Sequence, residues 1–303
     1  MPAQDPSEPN SGSDFVYYRY EPSLAAAAIF VSLFALASAI HLFQMIRTRT
    51  WFMIPFIIGA VLEAAGYVGR VLSANENPGP YTQLPFILQV VFLLIAPTFF
   101  AASIYMELGR IVLMVNGGAA LFIRRTWLTK IFVTGDCIAF VIQAAGATIL
   151  SSGGSNTDLG NTIIIVGLVF QIIAFGLFVV AAALFHFRML KVPTQLAQER
   201  PWTKHMISLY VISMLIFIRS LVRVVEYVQG NAGTIMSHEV YIYIFDAVLM
   251  LSAVAIMNVV HPGEVARYVR EMRVPKAEKP ARRWNRFGRH GSHEALRENM
   301  EMA

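Results

Sequence analysis

Seven long runs of apolar residues divide the chain, and shorter polar stretches separate them. The runs cover 24–46, 51–72, 84–115, 127–150, 159–190, 205–228 and 239–260. Each reaches the roughly 20 residues that a helix needs to cross a hydrocarbon core. The pattern therefore predicts an all-α polytopic membrane protein, a bundle of seven transmembrane helices. The third and fifth runs exceed one crossing, which predicts tilt or extension past the bilayer. Pro22 and Ser23 open the first run, and Pro262 and Gly263 stop the last one. Residues 1–20 are polar, rich in Pro and Ser, and lack the basic start of a signal peptide, so they read as a short disordered head. The division that follows is a head over 1–20, a membrane domain over 21–263 and a tail over 264–303.

Composition supports this class. The chain is 56% hydrophobic and 14% charged, against about 25% charged residues in soluble domains. The formal charge of +5 becomes informative once it is located. The connections after the first, third and fifth runs hold Arg47 and Arg49, then Arg124, Arg125 and Lys130, then Lys191, Arg200 and Lys204. Those after the second, fourth and sixth runs hold no Lys or Arg. Cytoplasmic connections carry the excess of Lys and Arg, so the N-terminus is expected outside and the C-terminus in the cytosol. From His261 onward ten Lys/Arg face six Glu, a basic tail suited to an anionic cytoplasmic leaflet. No recognition module accompanies that charge, so nucleic acid is not an expected partner. The single cysteine, Cys137, excludes an intramolecular disulfide.

Polar residues inside the runs are the candidates for function, because lipid makes them costly. Glu63 and Arg70 stand seven apart on one helical face, with Gly66 and Gly69 between them to admit a close neighbour. Snorkelling to the interface is an alternative for Arg70 alone. The third run carries Gln89 and then Pro97, which frees a carbonyl near midspan. Further along it, Glu107 and Arg110 have the spacing of a local ion pair. Asp136 and Gln143 again stand seven apart, with Asp136 expected to be partly hydrated, and Gln171 needs a partner from another helix. Arg219, Arg223 and Glu226 form a stripe on the sixth run. His238, Glu239 and Asp246 open the seventh from the same side. Spans two, six and seven thus gather arginines and carboxylates in one half of the bundle. An interhelical network and a substrate cavity explain that gathering equally well.

Other chemistries find little support. His41, His186, His205 and His261 fall near one set of helix ends and His238 near the other, without tight ligand spacing. No phosphate-binding loop, nucleophile elbow or dinucleotide fingerprint occurs. No catalytic residue, metal ligand or cofactor is assigned.

Several of these stretches resemble the fungal RTA1-like family, the lipid-translocating exporter group. They are EAAGYVGR (63–70), QVVFLLIAPTFFAASIYMELGR (89–110), FVTGDCIAFVIQAAG (132–146), Gly167 with Gln171, FIRSLVRVVEY (217–227), HEVYIYIFDAVLM (238–250) and HPG (261–263). The resemblance implies seven transmembrane helices and a role in translocating lipids or sphingoid long-chain bases, or in resistance to toxic amphiphiles. It marks Glu63, Arg70, Gln89, Asp136, Gln143, Gln171, Arg219, Arg223, Glu226, His238, Glu239 and Asp246 as substrate-binding or coupling candidates. Glu63, Glu226, Glu239 and Asp246 would meet a cationic amine, while Arg70, Arg219 and Arg223 would keep these acids ionised or meet a phosphate. Membrane lipids or amphiphilic small molecules are the expected partners, and the plasma membrane is expected ahead of the vacuolar one. The alternative is a seven-helix lipid sensor or receptor without transport, followed by an intramembrane metal-dependent lipid hydrolase. No oligomeric state follows from the sequence.

Overall fold

A computed structural model describes residues 18, 20–121, 123–151, 157–230 and 233–273. The 17 residues at the start of the head and the tail beyond residue 273 lie outside the described residues. The helices are α1 (Leu24–Thr48), α2 (Ile54–Ala74), α3 (Gln83–Met114), α4 (Arg125–Ser151), α5 (Thr157–Lys191), the short α6 (Gln195–Glu199), α7 (Trp202–Gln229), the short α8 (Thr234–Ser237), α9 (Glu239–Ile242), α10 (Leu249–Val259) and α11 (Gly263–Arg273). A π-helical turn, Tyr243–Val248, joins α9 to α10. Seven of the resulting segments are long and apolar enough to cross a membrane: α1, α2 with a 3-10 turn at its start, α3, α4, α5, α7, and α9 through α10. No strand occurs among the described residues. The protein is a multi-pass, all-α membrane protein.

Local chemistry sets the helix limits. Ser23 caps α1 by accepting the Ala26 N–H, and Arg49 closes that helix in the left-handed region with φ of 55°. The end of α3 is held by the connection from α5 to α7, where Thr194 Oγ1 donates to the Val115 carbonyl at 2.5 Å and Arg200 donates to the Met114 carbonyl. Thr194 also accepts from Ala197 N–H to cap α6. Two elements were not legible in the sequence. The π turn interrupts the seventh span around Asp246, and a further helix, α11, starts at Gly263 and runs into the stretch read as the basic tail.

Consecutive spans pack side by side from α1 to α5, α5 then meets α7, α7 meets α10, and α10 returns to α1. Contact between α3 and α7 crosses the interior of this ring. Small residues bring the tightest pairs together. A Cβ on Gly69 would lie 2.8 Å from the Pro85 carbonyl and 2.9 Å from the Gln89 N, so α2 reaches the backbone of α3. On α4 and α5, a Cβ on Gly146 would meet the Gly160 carbonyl at 2.8 Å. Leu36, Phe43, Val141, Leu177, Phe187 and Val228 point outward. Glu63, Arg70, Glu107, Asp136, Arg219 and Asp246 are buried inward. A large apolar exterior around ionisable groups is the arrangement that lipid requires.

The helix ends joined by connections rich in Lys and Arg are called the basic end below, and the others the opposite end.

Candidate functional site

The site begins with a missing hydrogen. Pro97 has no N–H, so the carbonyl of Leu93, four residues earlier, has no partner from it in the helix. Arg219 takes that carbonyl: its Nη2 donates to Leu93 O, and its Nε donates to Asp246 Oδ1. Asp246 Oδ2 accepts from the Tyr67 hydroxyl at 3.1 Å. Arg223 stands one turn along α7, with Nη2 at 3.6 Å from Asp246 Oδ1 and Nη1 donating to Glu226 Oε2 at 3.1 Å. The stripe on the sixth span is therefore bonded through its guanidinium groups to α3 and the π turn, and α2 joins through the Tyr67 hydroxyl on Asp246.

A second layer lies toward the opposite end. Glu63 to Arg70 and Glu239 to Asp246 are each seven residues apart, or about 10 Å along a helix, so the two spacings read from the sequence build two matching levels. Arg70 is fully buried, and its Nη2 donates to Glu239 Oε1 at 2.7 Å and to the Tyr20 hydroxyl at 3.0 Å. Its Nε donates to the Tyr243 hydroxyl at 3.0 Å and its Nη1 to Gln89 Oε1 at 3.4 Å. Three tyrosine rings, from Tyr18, Tyr20 and Tyr243, lie 5.1–5.9 Å from the guanidinium carbon, within cation–π range. Arg70 is thus enclosed and does not snorkel. Tyr18 donates to Gln89 Oε1 at 2.9 Å, and burial pushes its phenol up to about 12, so it remains a neutral donor. Nothing in the apolar pattern signalled that Tyr18 and Tyr20, at the end of the polar head, would pack here.

Counting charges across both layers leaves one group over. Arg70 faces Glu239, Arg219 faces Asp246, and Arg223 faces Glu226. Glu63 is fully buried, lies within electrostatic reach of Asp246, Arg219 and Arg223, and has no hydrogen-bond partner on either carboxyl oxygen. In these two layers it is the carboxyl that pairing does not absorb. A buried carboxylate in that state is expensive, so Glu63 needs either a proton or a cation from outside the protein.

The remaining candidates lie apart from these layers. Asp136 is buried and accepts from the Tyr105 hydroxyl at 2.9 Å, with its other oxygen unpartnered. This corrects the expected hydration of Asp136: Phe132, Phe175 and Phe178 pack around Tyr105 and keep that corner apolar. Gln171 finds its partner in Gln143, whose Nε2 donates to Gln171 Oε1 at 2.9 Å. His238 is exposed, with its Nδ1 at 3.0 Å from the Thr234 carbonyl, and does not join the network. The local pairing of Glu107 with Arg110 does not form. Glu107 is buried with both oxygens free of hydrogen bonds, its Oε1 lies 4.0 Å from His205 Nδ1, and Arg110 lies over the Phe52 ring. Among the described residues no group of three or more His, Cys, Asp or Glu is placed to hold a metal ion.

Comparison with known proteins places this arrangement. The family model described as "RTA1 like protein" matches residues 56–268. The chain is 36% identical to Protoporphyrin uptake protein 1 of Saccharomyces cerevisiae, over 82% of this chain and 92% of that protein. It is 36% identical to Protein RTA1 of the same organism, over 82% of this chain and 85% of that protein. A Sphingoid long-chain base transporter RSB1 of S. cerevisiae is 26% identical, over 84% of this chain and 76% of that protein. No solved structure matches the chain. The matched region covers α3 to α10 in full and both layers of the buried network apart from Tyr18 and Tyr20, and on this basis the chain belongs to the RTA1-like family.

Proposed function

We propose that this protein translocates amphiphilic molecules that carry a cationic amine and a long hydrocarbon tail, sphingoid long-chain bases being the leading class. The observation that carries the reading is Glu63, a buried carboxyl left over after every arginine of the network has a carboxylate. An ammonium group binding there would supply the missing charge, and exchange with a proton would release it. The apolar and aromatic helix walls suit the tail. The proposed orientation has the opposite end facing outward and the basic end in the cytosol, where the tail beyond the last span meets anionic lipid. The proposed location is the plasma membrane.

Two relatives are named for different cargoes, one for protoporphyrin uptake and one for sphingoid base transport. Protoporphyrin presents carboxylates, which would seek free arginines. Arg70, Arg219 and Arg223 are already engaged by Glu239, Asp246 and Glu226, so the charge balance favours the amine.

Purified protein in liposomes, loaded with labelled long-chain base or with protoporphyrin, tests the reading. The base is expected to cross several-fold faster than in protein-free liposomes, and protoporphyrin to show no comparable gain. Flux of protoporphyrin alone would reverse the substrate class. No flux of either would favour a lipid sensor over a translocator.

A further inference from the structure

We propose that a second buried site, at the basic end and separate from the network around Glu63, binds a proton and relays it to the protein surface through Glu107, His205 and Glu264. Its geometry is independent of the first site. Glu107 comes from the last third of α3, His205 from the first turn of α7 and Glu264 from the first turn of α11. Three elements distant in sequence thus meet around one imidazole.

The groups form a line of rising exposure. Glu107 is fully buried and His205 nearly so, whereas the Glu264 side chain is 27% exposed and Lys204 beside it 51%. His205 Nε2 lies 3.4 Å from Glu264 Oε2, and its Nδ1 lies 4.0 Å from Glu107 Oε1 with no hydrogen-bond partner. Both Glu107 oxygens are also without a partner. An approach of about 1 Å would bring Glu107 and Nδ1 to hydrogen-bonding distance.

The other histidines nearby cannot take this role. His41 Nδ1 lies 2.8 Å from Asn258 Oδ1, and since the Asn258 amide donates to the Ala37 carbonyl, Oδ1 accepts and His41 carries its hydrogen on Nδ1. His261 Nδ1 accepts from the Gly263 N–H at 3.0 Å, which fixes the reverse tautomer. Burial, with His41 and His205 adding to it, pushes His261 down to about 4, so it stays neutral near neutral pH. Among the described histidines, only His205 presents a free nitrogen toward a buried acid and the opposite nitrogen toward a partly exposed one. The charged and titratable groups around it are Glu107 from α3, Lys204 beside it on α7, and His261 with Glu264 from the turn and α11, with His41 of α1 packed on His261.

The transfer balances without a further reactant. The Glu107 O–H bond breaks as His205 Nδ1–H forms, the Nε2–H bond breaks as Glu264 O–H forms, and Glu264 releases the proton to water. The reverse sequence loads the site. Use of this proton to drive translocation rests on the function proposed above, whereas proton binding does not.

Infrared difference spectra of the purified full-length protein in nanodiscs, recorded against pH, report protonated carboxyl groups directly. Glu107→Gln is expected to remove one titrating carboxyl band, and Asp136→Asn to leave that band in place. His205→Gln and Glu264→Gln, read on native Glu107, are expected to move its midpoint by a pH unit or more. A band that survives Glu107→Gln, or a midpoint unmoved by both other variants, would overturn the site. The last two variants keep the test decisive if Glu107→Gln fails to fold. In liposomes, an imposed pH gradient should speed long-chain-base flux several-fold in the native protein and leave Glu107→Gln unresponsive; an equal response in both would overturn the coupling. A carboxyl that titrates as expected with no flux of base would support the proton site and count against the function proposed above.

Discussion

Asp246 and Glu63 occupy the same level of the bundle and carry the same functional group, yet their removal should have opposite consequences. Asp246 holds Arg219 and faces Arg223, so Asp246→Ala strands a buried guanidinium, and removing one partner of such a pair costs roughly 3–5 kcal/mol. Glu63 holds no partner. Glu63→Gln therefore breaks no bond and should leave stability unchanged or raise it. Thermal unfolding of the detergent-solubilised variants measures the difference. The distinction was only half visible in the sequence. Seven-residue spacings identified Glu63, Arg70, Glu239 and Asp246 as facing residues, but which acid each arginine would take depends on rotamers and interhelical distances that spacing does not encode. The same holds for Glu107, where i, i+3 spacing suggested Arg110 and helix packing supplied His205 instead.

Helices were the most legible feature, because lipid forces backbone polar groups to be satisfied within the segment. The seven apolar runs became seven spanning segments whose limits moved by only a few residues. Pro97 was readable as a freed carbonyl, and Arg219 of another helix answers it. The π turn was not readable, since Tyr243–Val248 has the composition of an ordinary helix. Glycine spacing supports a sharper prediction. Gly69→Ala would drive its Cβ against the α3 backbone at 2.8 Å, whereas Gly176→Ala meets nothing within 4 Å. The first should lower stability by about 1–3 kcal/mol and the second should be silent, again by thermal unfolding. The turn before α11 should respond to acid. His261 is pushed from 6.5 to about 4 by burial and by His41 and His205. In Glu264, burial is the largest single influence and raises the carboxyl, but hydrogen bonds and charge from Lys204 and His205 together outweigh it and bring the group below its ordinary value. Both groups bind protons more readily once unfolded, so their contribution is complete above pH 6.5 and declines as pH falls toward 4. The protection of backbone amides over 260–269, taken relative to intrinsic exchange at each pH, should fall across that window, and protection independent of pH would contradict it.

At the scale of the whole molecule, Glu63 and Glu107, two buried glutamates of the described residues whose carboxyl oxygens have no hydrogen-bond partner, come from different spans. Glu63 sits among the arginines of α7, and Glu107 sits toward the basic end beside His205. Both are fully buried, and neither carboxyl has a hydrogen-bond partner. In the function and the proton site proposed above, Glu63 would meet the cargo and Glu107 would take the proton that drives it, so the two roles would fall to separate acids. Charged hydrogen bonds contribute about 1.5–3 kcal/mol, and 1.4 kcal/mol is tenfold in affinity, so an ammonium bound at Glu63 should be preferred over its uncharged analogue by roughly ten- to a hundredfold. The direct measurement is equilibrium binding of a long-chain base and of its N-acylated, uncharged derivative to the purified protein in nanodiscs. The native protein should prefer the free amine by at least about tenfold, and Glu63→Gln should lose that preference while remaining folded. A preference that persists undiminished in Glu63→Gln, or that is absent from the native protein, would contradict the account.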